Sequence, residues 1–175
     1  MGLWMIQSVR HELNDVYSFA QLCSLAEEVK DFPSRVDVDD HRFFAPASMI
    51  EAIRQFCAET SQSIPETPGQ LATVVYQSLA DCYKKSLLSL EEMTGEHYDA
   101  LNIVGGGANA DYLNQLTANR TGKTVYAGPA EATAIGNIVC QLLSRGVFSS
   151  VEEARVCIFE SFFIKTFVPE GKTSI

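Results

Sequence analysis

The run LNIVGGGANADYLNQLTANRTGKTVYAGPAEATAIGN, Leu101 to Asn137, decides how this chain is read. With Ala100 in front of it, Ala100–Val104 reads as a short strand that runs into Gly105-Gly106-Gly107. A helix is expected over about 108–120, ended by Gly122, and Lys123–Ala127 follows as a second strand. Gly128-Pro129 turns the chain into another helix, Glu131 to Ser144, ended by Gly146. Strand, glycine turn, helix and strand form a βαβ unit, so the strands should be parallel neighbours joined by a right-handed crossover. Ser150 and Glu153 then cap a last helix to about Ser161, and Phe162 to Val168 should be extended. Two or three strands make a poor sheet by themselves. The pair is therefore expected to belong to a larger sheet whose other strands this chain does not supply.

Glycines at the end of a strand leave the backbone free to take positive φ and to lie against a flat or charged ligand. The N–H groups at the start of the following helix favour phosphate. A tight βα turn or close helix–sheet packing needs the same residues, so both readings stand for the triplet. Gly105-x-Gly107-x-x-Ala110 formally fits a dinucleotide fingerprint. That motif opens its first βαβ unit, with an acidic residue at the end of the next strand. Here a long helical region precedes it, and the second strand ends in Tyr126-Ala127-Gly128. A nicotinamide-dependent oxidoreductase is accordingly disfavoured, and the phosphate-loop pattern G-x-x-x-x-G-K-[ST] does not occur. The small residues Ala132, Ala134 and Gly136 would let the next helix approach a neighbour or a nucleotide closely. Asp99, Asp111 and Glu131 lie near the motif, but each suits a solvated or helix-start carboxylate better than a catalytic one. No catalytic residue is assigned.

Upstream, the first two-thirds of the chain reads as helices. Ser18 and Gln21 make a capping box that opens a helix from Phe19 to about Lys30, with Phe19, Leu22, Cys23, Leu25, Ala26 and Val29 on its buried side. Asp31 to Pro46 carries prolines, aspartates and no period, and reads as a loop. Met49, Ile50, Ile53, Phe56 and Cys57 recur at helical spacing to about Glu59. Thr67, Pro68 and Gln70 make a strong start for a helix that should run to Met93 and close at Gly95, with one apolar face from Leu71 through Val75, Leu79 and Leu90 to Met93.

The 175 residues are 46% hydrophobic and 20% charged, a globular composition long enough for a core of its own. A net charge of −9, with no basic run beyond Lys84-Lys85, argues against nucleic acid or an anionic membrane as partner. The first residues lack the basic start of a secretion signal, and no apolar run reaches the length of a membrane span. Five scattered cysteines with no C-x-x-C read as reduced thiols packed in a core, hence a cytoplasmic protein. His11, His41 and His97 show no ligand spacing, so no metal-binding residue is assigned.

The quoted run, together with the opening MGLWMIQ, the segment DVDDHRFFAP and the turn SIPETPG, resembles the C-terminal part of carbohydrate kinases of the FGGY family, over nearly the whole chain to about Pro169. The resemblance implies an α/β, helix-rich fold, a truncated C-terminal domain of the actin-like ATPase (RNase H-like) type with a small, partly parallel sheet. Residues 1–175 would then be one nucleotide-binding domain. It further implies ATP or ADP with Mg2+ as the bound cofactor, the metal having no dedicated ligand here. Gly106 matches the family's glycine against the nucleotide, flanked by Gly105 and Gly107, and Gln7 falls on another nucleotide contact. Many members carry Asn where this chain has Ala110, which leaves the adjacent Asn109 as a candidate. The sugar, L-rhamnulose or a related ketose, would be reached only through the family's N-terminal half, which holds the catalytic aspartate and the first phosphate loop. The lone C-terminal part should be inactive. The competing expectation is a non-enzymatic helical module that self-associates to cover its sheet edge.

Overall fold

Capping chemistry sets most of the helix starts. The computed structural model describes residues 2–170, so Met1 of the opening motif lies outside the described residues. The chain separates between His97 and Tyr98 into two compact units.

The first unit is helical. It holds α1 (Trp4–Glu12), α2 (Phe19–Glu28), a 3-10 turn at His41–Phe43, α3 (Met49–Glu59) and α4 (Pro68–Thr94). Ser18 and Thr67 both form the expected capping boxes with Gln21 and Gln70. Gly95, at φ 71°, ends α4 in the left-handed region that glycine enters without strain. Sequence reading gave α1 no boundaries because its N-cap, Leu3, makes no side-chain hydrogen bond and leaves no local start signal. What holds α1 is burial of Met5, Ile6 and Val9. Its last residue also reaches another helix. Glu12 accepts the Ser48 hydroxyl at 2.6 Å and the Met49 and Ile50 N–H groups at 2.5 and 3.3 Å, placing a carboxylate on the uncompensated N–H groups of α3. Glu12→Ala should therefore lower stability by about 1–2 kcal/mol in a urea melt, the usual cost of a lost cap with a charged acceptor.

Two expectations need correction here. Residues 71–80 of α4 are buried on every side, whereas Leu88, Leu90 and Met93 are exposed, so no single apolar face runs its length. The first half is enclosed because α2 packs on one side and residues 30–36 on another. Thr73 donates to the Ala26 carbonyl at 3.0 Å, and Ser78 accepts the Val36 N–H at 3.0 Å. The segment 31–46 is a loop as expected, but it places Val36, Val38 and Phe43 in the core. Side chains replace a strand ladder there: Gln62 accepts the Arg35 N–H and donates to the Arg35 carbonyl, each at 2.8 Å. Phe19, assigned to the buried side of α2, is exposed and lies under the Arg10 guanidinium, 5.0 Å from its ring centre.

The second unit holds β1 (Ala100–Ile103), a 3-10 turn at Gly105–Asn109, α5 (Asp111–Thr121), β2 (Thr124–Ala127), α6 (Ala132–Ser144), α7 (Val151–Ser161) and β3 (Lys165–Phe167). β1 and β2 pair in parallel, Ala100 with Thr124 through Ile103 with Ala127, and β3 runs antiparallel on the far side of β2. The small, partly parallel sheet is thus present, in the order β1-β2-β3. The helix expected from 108 begins instead at Asp111, since Ala110, at φ −90° and ψ 68°, is not helical and the glycines themselves form the 3-10 turn.

The close approach expected at Gly136 is not made by any described residue, because a Cβ built there meets nothing within 4 Å. α6 buries none of its described residues. Gly136→Ala should consequently raise thermal stability slightly, by about 0.5–1 kcal/mol of helix propensity with no clash to offset it. The expectation of cysteines packed in a core also holds only in part. Cys57 is buried, while Cys140 on α6 and Cys157 on α7 are exposed. Burial pushes the Cys57 thiol up, so two causes, poor access and little thiolate, act together. In a native alkylation time course read by mass spectrometry, Cys140 and Cys157 should label first, and Cys57 on the order of 100-fold more slowly, at the rate of local opening.

Candidate functional site

The glycine turn lies at the carboxyl ends of the parallel strands, where α/β sheets offer a crevice outside their strand ends. Two backbone bonds join the turn and the end of β1 to the segment that follows β2. Gly105 N–H donates to the Pro129 carbonyl at 3.1 Å, and Gly128 N–H donates to the Ile103 carbonyl at 2.9 Å. The three glycines are not equivalent. Gly105, at φ +75°, is required by the backbone, and Gly105→Ala should cost about 1 kcal/mol in a thermal melt. Gly106 is exposed, has no positive φ, and a Cβ built on it meets nothing within 4 Å. Neither fold nor packing demands glycine there. Gly107 accepts the Ala110 N–H at 3.0 Å through its carbonyl, which closes the turn.

Asn109 is exposed at the end of the turn. α5 then starts without a side-chain cap from Ala110, and a helix start carries the positive end of the helix dipole, which suits an anion. Asp111 occupies the first turn of α5, but both its oxygens accept from the Lys165 ammonium, at 2.7 and 2.8 Å. That pair ties β3 to α5. With the side chains 37% and 55% exposed it is worth at most about 1 kcal/mol. Glu131 and Asp99 are exposed, Glu131 at the start of α6 and Asp99 just ahead of β1, as expected of solvated carboxylates. Sequence reading missed Lys165 and also Asn114, which is buried under the turn. The available signal was an amide in a helix between Leu113 and Leu116, where an apolar residue packs more simply.

Gln7 belongs to the first unit. It is exposed on α1, and with Trp4, Ser8, His11 and Met49 it lines a cavity of about 360 Å³. Gly105, Gly106, Gly107 and Asn109 thus form one continuous turn, and Gln7 stands in a separate body. A second cavity of the first unit, about 450 Å³, is lined by Asp39, Asp40, His41 and Phe44 and contains none of the candidates. The Asp40 carboxyl there is held below its ordinary range, first by the Arg42 backbone N–H. Among the described residues no group of three or more His, Cys, Asp or Glu could hold a metal ion, and no helix is long and apolar enough to cross a membrane.

The arrangement can bind and orient an anionic ligand along backbone N–H groups beside an open glycine. The profile of the FGGY family of carbohydrate kinases, C-terminal domain, matches residues 1–145. A rhamnulokinase of Ligilactobacillus salivarius is 48% identical over 175 residues, covering 99% of this chain and 36% of its own length. A rhamnulokinase of Halalkalibacterium halodurans is 46% identical, covering 96% of this chain and 36% of its own length, and one of Bacillus subtilis is 42% identical, covering 97% and 35%. The chain thus spans about a third of the length of the curated relatives it matches. That family's C-terminal domain has the actin-like ATPase fold, and the helix-rich chain with its small mixed sheet fits it. A family profile that covers most of the chain and relatives alike along nearly all of it make the chain a member of the FGGY family of carbohydrate kinases, carrying the sequence of its C-terminal domain.

Proposed function

We propose that this chain is the nucleotide-binding part of an ATP-dependent ketose kinase that converts L-rhamnulose to L-rhamnulose 1-phosphate, with residues 1–175 acting as its C-terminal domain. The observation that carries the nucleotide reading is Gly106, a glycine that neither its backbone angles nor its neighbours require. A ligand lying flat against the turn gives it a reason. ATP, with Mg2+ neutralising its phosphates, supplies the transferable phosphoryl group. This chain's residues bind and orient: the Gly105–Gly107 backbone approaches the nucleotide closely, the start of α5 supplies the positive end of a helix dipole, and the Asn109 amide can hydrogen-bond its polar atoms. The general base and the sugar contacts belong, in this reading, to the part of the relatives' length that the chain does not span. The substrate assignment rests on the rhamnulokinase relatives, and a cytoplasmic location on scattered cysteines that form no disulfide among the described residues.

Calorimetric titration of the purified chain with Mg-ADP, with NAD as control, tests the reading. Saturable ADP binding without NAD binding supports it, and NAD binding alone overturns it. No phosphorylation of L-rhamnulose is expected from the chain by itself, and turnover by it would overturn the assignment of the base to another part. A second reading, self-association, is favoured by the exposed Val156, Phe159, Phe162 and Phe163 in and just after α7 and by a β1 strand paired on one side only among the described residues. Sedimentation that shifts with concentration supports it, and a stable monomer removes it.

A further inference from the structure

Asn114 is 1% exposed, and it sits one turn into α5. Asn is a poor choice for a helix interior, where it competes with the backbone for hydrogen bonds. Its side chain reaches back toward the helix start, as helical side chains do. There the Nδ2 group donates to the Ala108 carbonyl at 3.2 Å and faces the Gly107 carbonyl at 3.4 Å. Both carbonyls belong to the 3-10 turn. The Gly107 carbonyl also takes the Ala110 N–H at 3.0 Å, and the Ala110 carbonyl takes the Asn114 N–H at 2.9 Å. One buried residue therefore grips the turn through its side chain and its backbone at once. The grip is costly, because Asn114 Oδ1 is buried and accepts no hydrogen bond among the described residues. An apolar side chain would avoid that cost. The amide is explained by the two carbonyls it holds.

Each peptide plane is rigid, so fixing the Gly107 and Ala108 carbonyls fixes the orientation of the peptides that carry them. Glycine needs such an external hold, since its own φ and ψ are the least restricted of any residue. We propose that Asn114 is a positioning residue for nucleotide binding: its buried amide sets the shape of the Gly105–Asn109 turn, which would otherwise sample many conformations. This rests on the nucleotide reading above. An ordered turn binds without the entropic cost of being ordered by its ligand.

The test uses Asn114→Ala and the near-isosteric Asn114→Asp in the 175-residue chain. The carboxyl group of the latter can donate at most one hydrogen bond in either protonation state. Three readouts are needed: the thermal midpoint, amide hydrogen exchange by NMR, and Mg-ADP titration. Exchange of the Ala110 N–H, which reports the turn, should accelerate about tenfold or more, while the Gly122 N–H, bonded to the Ala118 carbonyl at 2.9 Å at the far end of α5, stays within about threefold. ADP affinity should fall by about tenfold in the same variants. If Ala110 exchange is unchanged, or accelerates without loss of affinity, the proposal is overturned. If both amides accelerate together, Asn114 supports the whole helix and the proposal is likewise overturned. Should Asn114→Ala fail to fold, Asn114→Asp carries the same measurements. Absence of ADP binding by the unsubstituted chain would instead overturn the nucleotide reading and this role with it, while the exchange result would still show whether Asn114 holds the turn.

Discussion

Gly106→Asp is expected to weaken Mg-ADP binding by about 100-fold while leaving the thermal midpoint within about 2 °C of the parent. The two halves of that expectation have separate causes. Stability should hold because residue 106 is exposed, has no positive φ, and has open space where a side chain would grow. Affinity should fall because a carboxylate would stand where a phosphate is expected. At about 6 Å and an effective dielectric constant of about 20, one like-charge pair costs about 3 kcal/mol, which is about 100-fold. Gly106→Ala adds bulk without charge and separates the steric part from the electrostatic one. Calorimetric titration and a thermal melt on the same samples decide the matter. An aspartate variant that binds ADP as well as the parent would remove Gly106 from the nucleotide site.

Gly69→Ala should destabilise the first unit by about 2 kcal/mol, or about 8–16 °C for a unit of this size. A Cβ on Gly69 would come 2.7 Å from the Leu25 carbonyl oxygen and 3.2 Å from its carbon, both backbone atoms of α2 that no side-chain rotation can move. Alanine gains up to about 1 kcal/mol of helix propensity over glycine, less near a helix start. Overpacking costs about 1–3 kcal/mol, and here relief requires α2 to shift as a body. The shift would stretch the Thr73 to Ala26 bond of 3.0 Å and the Cys23 to Tyr76 contact of 3.4 Å, so the clash outweighs the propensity. A urea melt measures the loss. Gly136→Ala, with nothing within 4 Å, is the matched control in which propensity acts alone and the sign should reverse. Equal midpoints for the two variants would mean that the contact of Gly69 with the Leu25 carbonyl does not limit the packing of α2 on α4.

What the sequence determined by itself is everything set within one turn of chain. The Ser18–Gln21 and Thr67–Gln70 boxes, the left-handed Gly95 and Gly122, the Gly105 break after β1 and the βαβ order are all local, because a cap or a positive φ acts on residues three or four positions away. The glycine turn as a candidate site was legible for the same reason. Tertiary structure alone decided the rest. Val36, Val38 and Phe43 carry no period, and they are buried because α3 and α4 provide the space. α1 has no cap and exists through its packing, while α6, with a more apolar sequence, buries none of its described residues. Asn114 looked like one more polar helix residue until the fold placed the Gly107 and Ala108 carbonyls over its amide. Burial and hydrogen-bond partners depend on which distant segments arrive at a residue, and that information is spread over the whole chain rather than written beside it.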